Sequence, residues 1–378
     1  MTTPSSKQDG LPPTDYYAPE FQIEVQGYKL DPTTKGDVLS VKVDMDLENA
    51  DRFEFTVNNW DDVHLDFKYS DSATFDVGNR VVVKLGYANR LLTLIAGEIS
   101  SLAPRFPESG SPTLTVSGTS TLGKLKDKKP DENAQRLFRD MSDYEIAQIV
   151  AQRNGLTPVV TAEGPKHELV WQRDLSEGVF LMERAKRTDF DFYVQTDEDS
   201  SLESLYFVKP KDTRESSGVK VFVFEYGRSL INFTPKLSNN RQVASVTVRG
   251  WDPQQKKAIV AKADVGNLPQ LGGQGRSGPE TAGDRSDQVV DAPVETQEEA
   301  QLLAESLLRE KAYEYLTGDG QVIGLPDLRP GHNVELKGLG TRYSGTYYVK
   351  SVSHSIGGSG FTTSFGVRRV FDGGARTS

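Results

Sequence analysis

Val41, Val43, Met45 and Leu47 alternate with Lys42, Asp44, Asp46 and Glu48, the period of two expected of a strand that buries one face. Phe53, Phe55 and Val57 repeat the alternation after Glu48 to Arg52, a polar stretch rich in turn formers, so the two strands form a hairpin. Phe21 to Val25, Val81 to Leu85, Leu91 to Ile99 and Thr113 to Ser117 continue the pattern, parted by Gly-, Asn- or Pro-containing turns. Short alternating strands at this density predict a β-barrel or sandwich over residues 19–123, preceded by a flexible arm over 1–18.

From about Lys124 the period becomes helical. Ser142 and Glu145 have capping-box spacing ahead of Ile146, Ile149 and Val150, and Asn154-Gly155 supplies a stop. A second helix is expected from Ser176 to about Thr188, followed by strands at Asp191 to Gln195 and Ser204 to Lys209. Residues 124–215 therefore read as a small α/β module inserted between two β regions. The second β region, 216–378, opens with Val221 to Phe224 and Ala244 to Arg249. It is interrupted by 266–291, poor in apolar residues and expected to be a mobile loop, and by a helix over 297–316 capped by Thr296 and stopped near Gly318.

The two β regions echo each other. Val77 to Gly86, with Gly78 at its turn, matches Pro330 to Gly338 with Gly331 in the same place. The strand through Leu94, Gly97 and Ile99 answers to Gly345, Tyr348, Val349 and Val352, and Thr113 to Gly118 answers to Phe361 to Gly366. Two unrelated meanders would share Gly turns and alternating valines; the common order and spacing favour duplication. Two similar barrels in one chain would let three chains present six similar modules.

Composition narrows the function classes. The 378 residues suffice for two or three cores, and no run approaches the roughly 18 apolar residues of a membrane helix. Met1 to Pro19 has neither a basic start nor an apolar stretch, so no signal peptide is expected and synthesis reads as cytosolic. With no cysteine there are no disulfides or thiolate ligands, and a net charge of −10 disfavours nucleic acid as a partner.

The chain offers no constellation for catalysis, cofactor or metal. His64, His167, His332 and His354 are dispersed without ligand spacing, and turn and strand-end roles suit His332 and His354 best. Asp61-Asp62 and Asp197-Glu198-Asp199 adjoin turns, Gly272 to Gly278 lacks the strand a phosphate loop needs, and there is no Gly-x-Ser-x-Gly elbow.

Gly324-Leu-Pro-Asp-Leu-Arg-Pro-Gly331, Val334 to Gly338, Tyr343 to His354 and Gly360-Phe-Thr-Thr together resemble the phage late-control D family of tail hub proteins, which includes the hub portion of type VI secretion spike proteins. Asp174 to Val194 is similar to that family's helix-then-strand signature, and Val246 to Pro253 to the strand opening its second barrel. The resemblance implies a mainly β fold of two tube-like antiparallel barrels with an α/β insert, and Gly78, Pro330, Gly331, Gly345, Tyr348, Val349 and His354 as motif positions of structural weight. It also implies a homotrimer in a phage-tail-like particle that adapts a trimeric spike to a hexameric inner tube and touches other baseplate proteins. Because the sequence stops at Ser378, the spike is expected to be a separate polypeptide. Rivals of another class are a cell-wall hydrolase carried at a tail tip and a β-rich adhesin or carbohydrate-binding module.

Overall fold

The computed structural model describes residues 18–131, 134–211, 220–252, 255–269, 275–289 and 293–373; all but the last residue of the expected arm lies outside them. Twelve strands carry the architecture. They are β1 (Pro19–Val25), β2 (Val38–Asp46), β3 (Arg52–Asn58), β4 (Arg80–Tyr87), β5 (Arg90–Arg105), β6 (Thr113–Thr119), β7 (Val221–Glu225), β8 (Leu230–Leu237), β9 (Leu316–Ile323), β10 (Asn333–Lys337), β11 (Gly345–Gly357) and β12 (Gly360–Arg369).

The first six pair in the order β1-β4-β5-β6-β3-β2 and the last six in the order β7-β10-β11-β12-β9-β8. One strand order thus occurs twice, in the same chain sequence. The modules differ in direction at one place: β1 runs antiparallel to β4, whereas β7 runs parallel to β10. Irregularities recur as well. Leu39 bulges from β2 against β3, and Ile231 from β8 against β9. Ser100 bulges from β5 against β6, and Lys350 from β11 against β12. Because a bulge shifts every later side chain to the opposite face, two matched bulges in each module fix the equivalence residue by residue. The equivalence corrects the sequence alignment by one position: Gly118 opposes Ile99 as Val367, and not Gly366, opposes Val349.

The fold is mainly β with large antiparallel pairings, as expected. The two modules do not stand apart, however. β2 pairs with β11 along Val41–Asp46, so both belong to one thirteen-stranded sheet. A single hydrophobic cluster runs from Ile23 through Phe55 and Val83 to Phe224, Leu336 and Phe365. The alternation of Val41, Val43 and Met45, each at most 2% exposed, is the inward half of that core.

A second cluster lies between the modules in sequence. Helices α1 (Asp143–Arg153) and α2 (Glu177–Thr188) pack Ile146, Val150, Phe180 and Leu181 against Phe192 and Phe207 of the strands Asp191–Thr196 and Glu203–Val208. Glu145 accepts hydrogen bonds from the Ser142 N–H and hydroxyl at 2.8 Å each, closing the first turn of α1 where the spacing predicted it.

Three expectations for the second region need correction. Ser245–Asp252 does not open a barrel: it pairs with Lys257–Asp264 and Ser286–Val289 in a separate three-stranded sheet, over which α3 (Gln297–Tyr313) lays Ala300, Leu303, Ala304 and Leu308. Residues 275–289 are not a loose loop. They form a helical turn, Gly278–Thr281, and the strand Ser286–Val289, with Ser277 fully buried and Arg276 N–H donating to Asp372 Oδ1 at 3.0 Å. Residues 270–274 and 290–291 of that expected loop lie outside the described residues. Finally, α3 ends at Tyr313, and Gly318 is not its stop but an interior position of β9.

Gly318 and Gly320 are required there by close approach. A Cβ on Gly318 would lie 2.5 Å from the Phe233 ring, and one on Gly320 would lie 2.4 Å from the Phe365 ring. Replacing Gly320 by Ala should therefore lower stability by about 1–3 kcal/mol through overpacking, read as a lower urea midpoint. An unchanged midpoint would mean that Phe365 does not cover β9.

Candidate functional site: the joint between the modules

The joint has two parts, a ladder and a clamp. In the ladder, Ser351, Val352, Ser353, His354, Ser355 and Ile356 of β11 oppose Asp46, Met45, Asp44, Val43, Lys42 and Val41 of β2. Leu47 N–H donates to Lys350 O at 3.1 Å, just beyond the Lys350 bulge. The C-terminal half of β11 is open to β2 because β10, on the same edge, begins at Asn333 and covers only the N-terminal half, Gly345–Tyr348.

The clamp is the segment Gly324–Gly331 between β9 and β10. Tyr87 hydroxyl donates to Gly324 O at 2.8 Å. Arg90 of β5 grips Asp327 with both ends of its guanidinium, at 2.9 and 3.0 Å. Arg329, 1% exposed, enters the first module, donating to Thr93 O at 2.5 Å and to Thr196 O at 3.4 Å, with Glu198 Oε1 3.4 Å from its Nε. A guanidinium that donates to carbonyls of β5 and of the insert ties three parts of the chain to one group. Thr93 N–H to Glu198 O (3.0 Å) and Ala96 N–H to Thr196 Oγ1 (2.9 Å) dock the insert on the same strand.

His354 holds the clamp from below. It is fully buried; Nε2 lies 3.1 Å from Leu328 O, which only accepts, so Nε2 carries the proton and Nδ1 accepts from the Thr363 hydroxyl at 2.9 Å. Thr363 Oγ1 in turn accepts from Leu325 N–H at 2.8 Å. Burial pushes the imidazole pKa down to about 3.

The seven motif positions divide. Pro330, Gly331 and Tyr348 line one cavity of about 290 Å³ with Arg329, His332 and Tyr193. Gly331 (φ +83°) and Gly78 (φ +90°) play one part in the two modules: Gly331 N–H donates to Val349 O at 2.9 Å, and Gly78 N–H donates to Ile99 O at 2.8 Å. Val349 lies in the shared core beside the bulge, His354 in the ladder and under the clamp, and Gly345 (φ +128°) at the start of β11, away from the other six. Tyr348 hydroxyl donates to Asp191 of the insert, whose carboxyl is pushed up by burial. The sequence reading missed Arg90, Asp327 and Arg329; the signal was two opposite charges, Asp327 and Arg329, held among Leu325, Leu328 and Pro330 in an otherwise apolar loop.

The other histidines serve local structure. His64 pairs with Asp61 on an exposed turn, His167 packs with Asp143 and Arg184, and His332 lies against the Phe222 ring at 5.6 Å and accepts from Arg329 N–H. Among the described residues no three His, Cys, Asp or Glu side chains are grouped to hold a metal, and no helix is long and apolar enough to cross a membrane.

The family model of the Alg8 N-terminal domain matches residues 17–358. Among curated proteins none matches. Among solved structures, the 43 kDa tail protein of prophage MuSo2 from Shewanella oneidensis is similar with TM-score 0.71 at 16% identity, covering 93% of this chain and 98% of that one. A tail protein from Neisseria meningitidis MC58 gives 0.68 at 15% identity, covering 96% and 100%. An E. coli component of the type VI secretion system, described as structurally similar to the bacteriophage T4 tail proteins gp27 and gp5, gives 0.58 at 13% identity, covering 91% and 76%. At these identities the likeness is one of fold.

The buried histidine makes a pH prediction. The imidazole stays neutral in the fold but takes up a proton near pH 6.5 once unfolded, so protons favour the unfolded chain. The contribution of His354 is intact above about pH 6.5 and erodes toward about pH 3, at up to about 1.4 kcal/mol per pH unit. Urea unfolding between pH 6 and 4 should show a slope shallower by about that amount in His354→Gln than in the parent chain. Equal slopes would mean that this imidazole titrates alike folded and unfolded.

Proposed function

The chain belongs to the Alg8 N-terminal domain family, a description that names no tail role; from its tail-protein fold and its duplicated module we propose that it is a structural hub of a contractile, phage-tail-like injection machine. Three copies form a ring whose six quasi-equivalent modules meet a hexameric inner tube on one side, while the three-fold axis accepts a separate trimeric spike on the other. The late-control D resemblance of the C-terminal motifs points the same way, as does the type VI secretion component among the structural relatives. The role is one of assembly and not of turnover.

The observation that carries this reading is the repeated strand order with its two repeated bulges. A chain built of two like modules joined edge to edge supplies two of the positions in a ring of six, which reconciles a three-fold neighbour with a six-fold one without a second gene product. The clamp has a place in this account. Stacking a spike and a tube on opposite sides loads the joint between modules, and Arg329 must give up its bonds to the carbonyls of Thr93 and Thr196 before that joint opens.

Native mass measurement at micromolar concentration tests the proposal. A species of three times 41.7 kDa is expected, and its addition to purified inner-tube protein should nucleate tubes. A chain that remains a monomer at high concentration and leaves tube assembly unchanged would overturn it.

A further inference from the structure

The joint between β2 and β11 uses one edge from each module, and the duplication means that each of those edges has a counterpart elsewhere in the chain. The counterpart of β2 is β8, which among the described residues pairs with β9 and, beyond a single bridge from Leu230 to Tyr226, with no other strand. The counterpart of the C-terminal half of β11 is Ser101–Arg105 of β5, which pairs with β6 on one side only. One chain therefore ends in the two halves of a joint it has already made once.

We propose that a second copy of this chain closes that joint: β8 of one chain pairs antiparallel with the Ser101–Arg105 edge of β5 in the next. The inference rests on the ring of three proposed above and specifies its contact. The matched bulges transfer the register. Leu39 corresponds to Ile231 and Lys350 to Ser100, so the internal pairs Met45–Val352, Val43–His354 and Val41–Ile356 become Leu237–Leu102, Pro235–Pro104 and Phe233–Phe106. The alternate pairs Asp44–Ser353 and Lys42–Ser355 become Lys236–Ala103 and Thr234–Arg105.

Three observations support this occupant. The core-facing side of the transferred joint is apolar at all six positions, as it is within the chain at every position but His354. Yet Leu237 is 37% exposed where its counterpart Met45 is 2%, and Phe106 is 57% exposed where its counterpart Ile356 is half-buried. The edges also face outward correctly. Ser238 N–H is turned inward to Tyr315 O at 2.8 Å, so by alternation Leu237, Pro235 and Phe233 present their backbone groups to the free side, as Val43 and Met45 do toward β11.

Pro235 and Pro104 would meet at the middle of this joint, and neither has an N–H. That pair gives no ladder bond and holds the strands further apart; the flanking pairs and the apolar faces carry the contact. In the lone chain the same prolines remove exposed donors from two edges that would otherwise pair indiscriminately. The two surfaces differ from each other, so the contact is head-to-tail and repeats until the ring closes.

Because the chain has no cysteine, introduced thiols are the only ones present. Lys236→Cys with Ala103→Cys falls at a non-hydrogen-bonded pair, where Cα atoms about 4.5 Å apart suit a disulfide. Asp44→Cys with Ser353→Cys is the internal counterpart and should close within one chain. After mild oxidation, the first variant should shift on a denaturing gel from one chain to a series ending at three, reversed by reductant. Lys236→Cys with Arg105→Cys, displaced along the strand, should remain one chain. If the internal pair closes and the protein is trimeric in solution but the Lys236–Ala103 pair stays uncrosslinked, the joint is wrong and the hub reading survives. Equal crosslinking of the displaced pair would also overturn the register. A chain monomeric throughout would remove both.

Discussion

An open sheet edge exposes donors and acceptors that something must satisfy, and this constraint organises the molecule. β2 ends the first module with such an edge, and the half of β11 that β10 leaves uncovered accepts it. From that single pairing follow the continuous sheet, the shared core and the position of the Gly324–Gly331 segment over β5. The polar groups of that segment make sense only because the modules have already met: Arg329 needs the carbonyl of Thr93, and Asp327 needs Arg90.

The remaining units buttress the joint from outside. The insert docks on the first half of β5 through Thr196 and Glu198, and its helix α2 lies against α3 of the third sheet, where Arg187 pairs with Glu299 at 2.8 Å. Each unit has its own hydrophobic cluster, so its packing is independent of the others. The polar contacts just named between them set orientation more than they add stability, beside a small apolar contact of Leu47, Tyr348 and Tyr193.

Much of the fold was legible in the sequence where one physical signal dominated. Alternation marked β2 and β3, capping spacing marked α1 and the start of α3, and the Gly78 and Gly331 turns carried the duplication. The rest was hidden for identifiable reasons. β8 has weak alternation because only Leu230 is fully buried and Pro235 sits in its middle, which reads as a break. β9 was hidden because Gly318, read as a helix stop, and Gly320 are small so as to make room for phenylalanine rings from other strands. Residues 275–289 looked loose because contacts with distant segments order them: Gly275 and Arg276 bond to Asp372, and Ser286–Val289 pairs with Ser245–Val248. Arg329 was invisible as a site residue because its partners are carbonyls, which no side-chain pattern encodes.

The account stands on quasi-equivalence: two modules of one chain occupying like positions around a common axis. End-on electron-microscope averages of the isolated assembly test this most directly. Six lobes of similar size at one radius, alternating in kind and related by three-fold symmetry, are predicted. Three lobes, or two sets of lobes at clearly different radii, would contradict it.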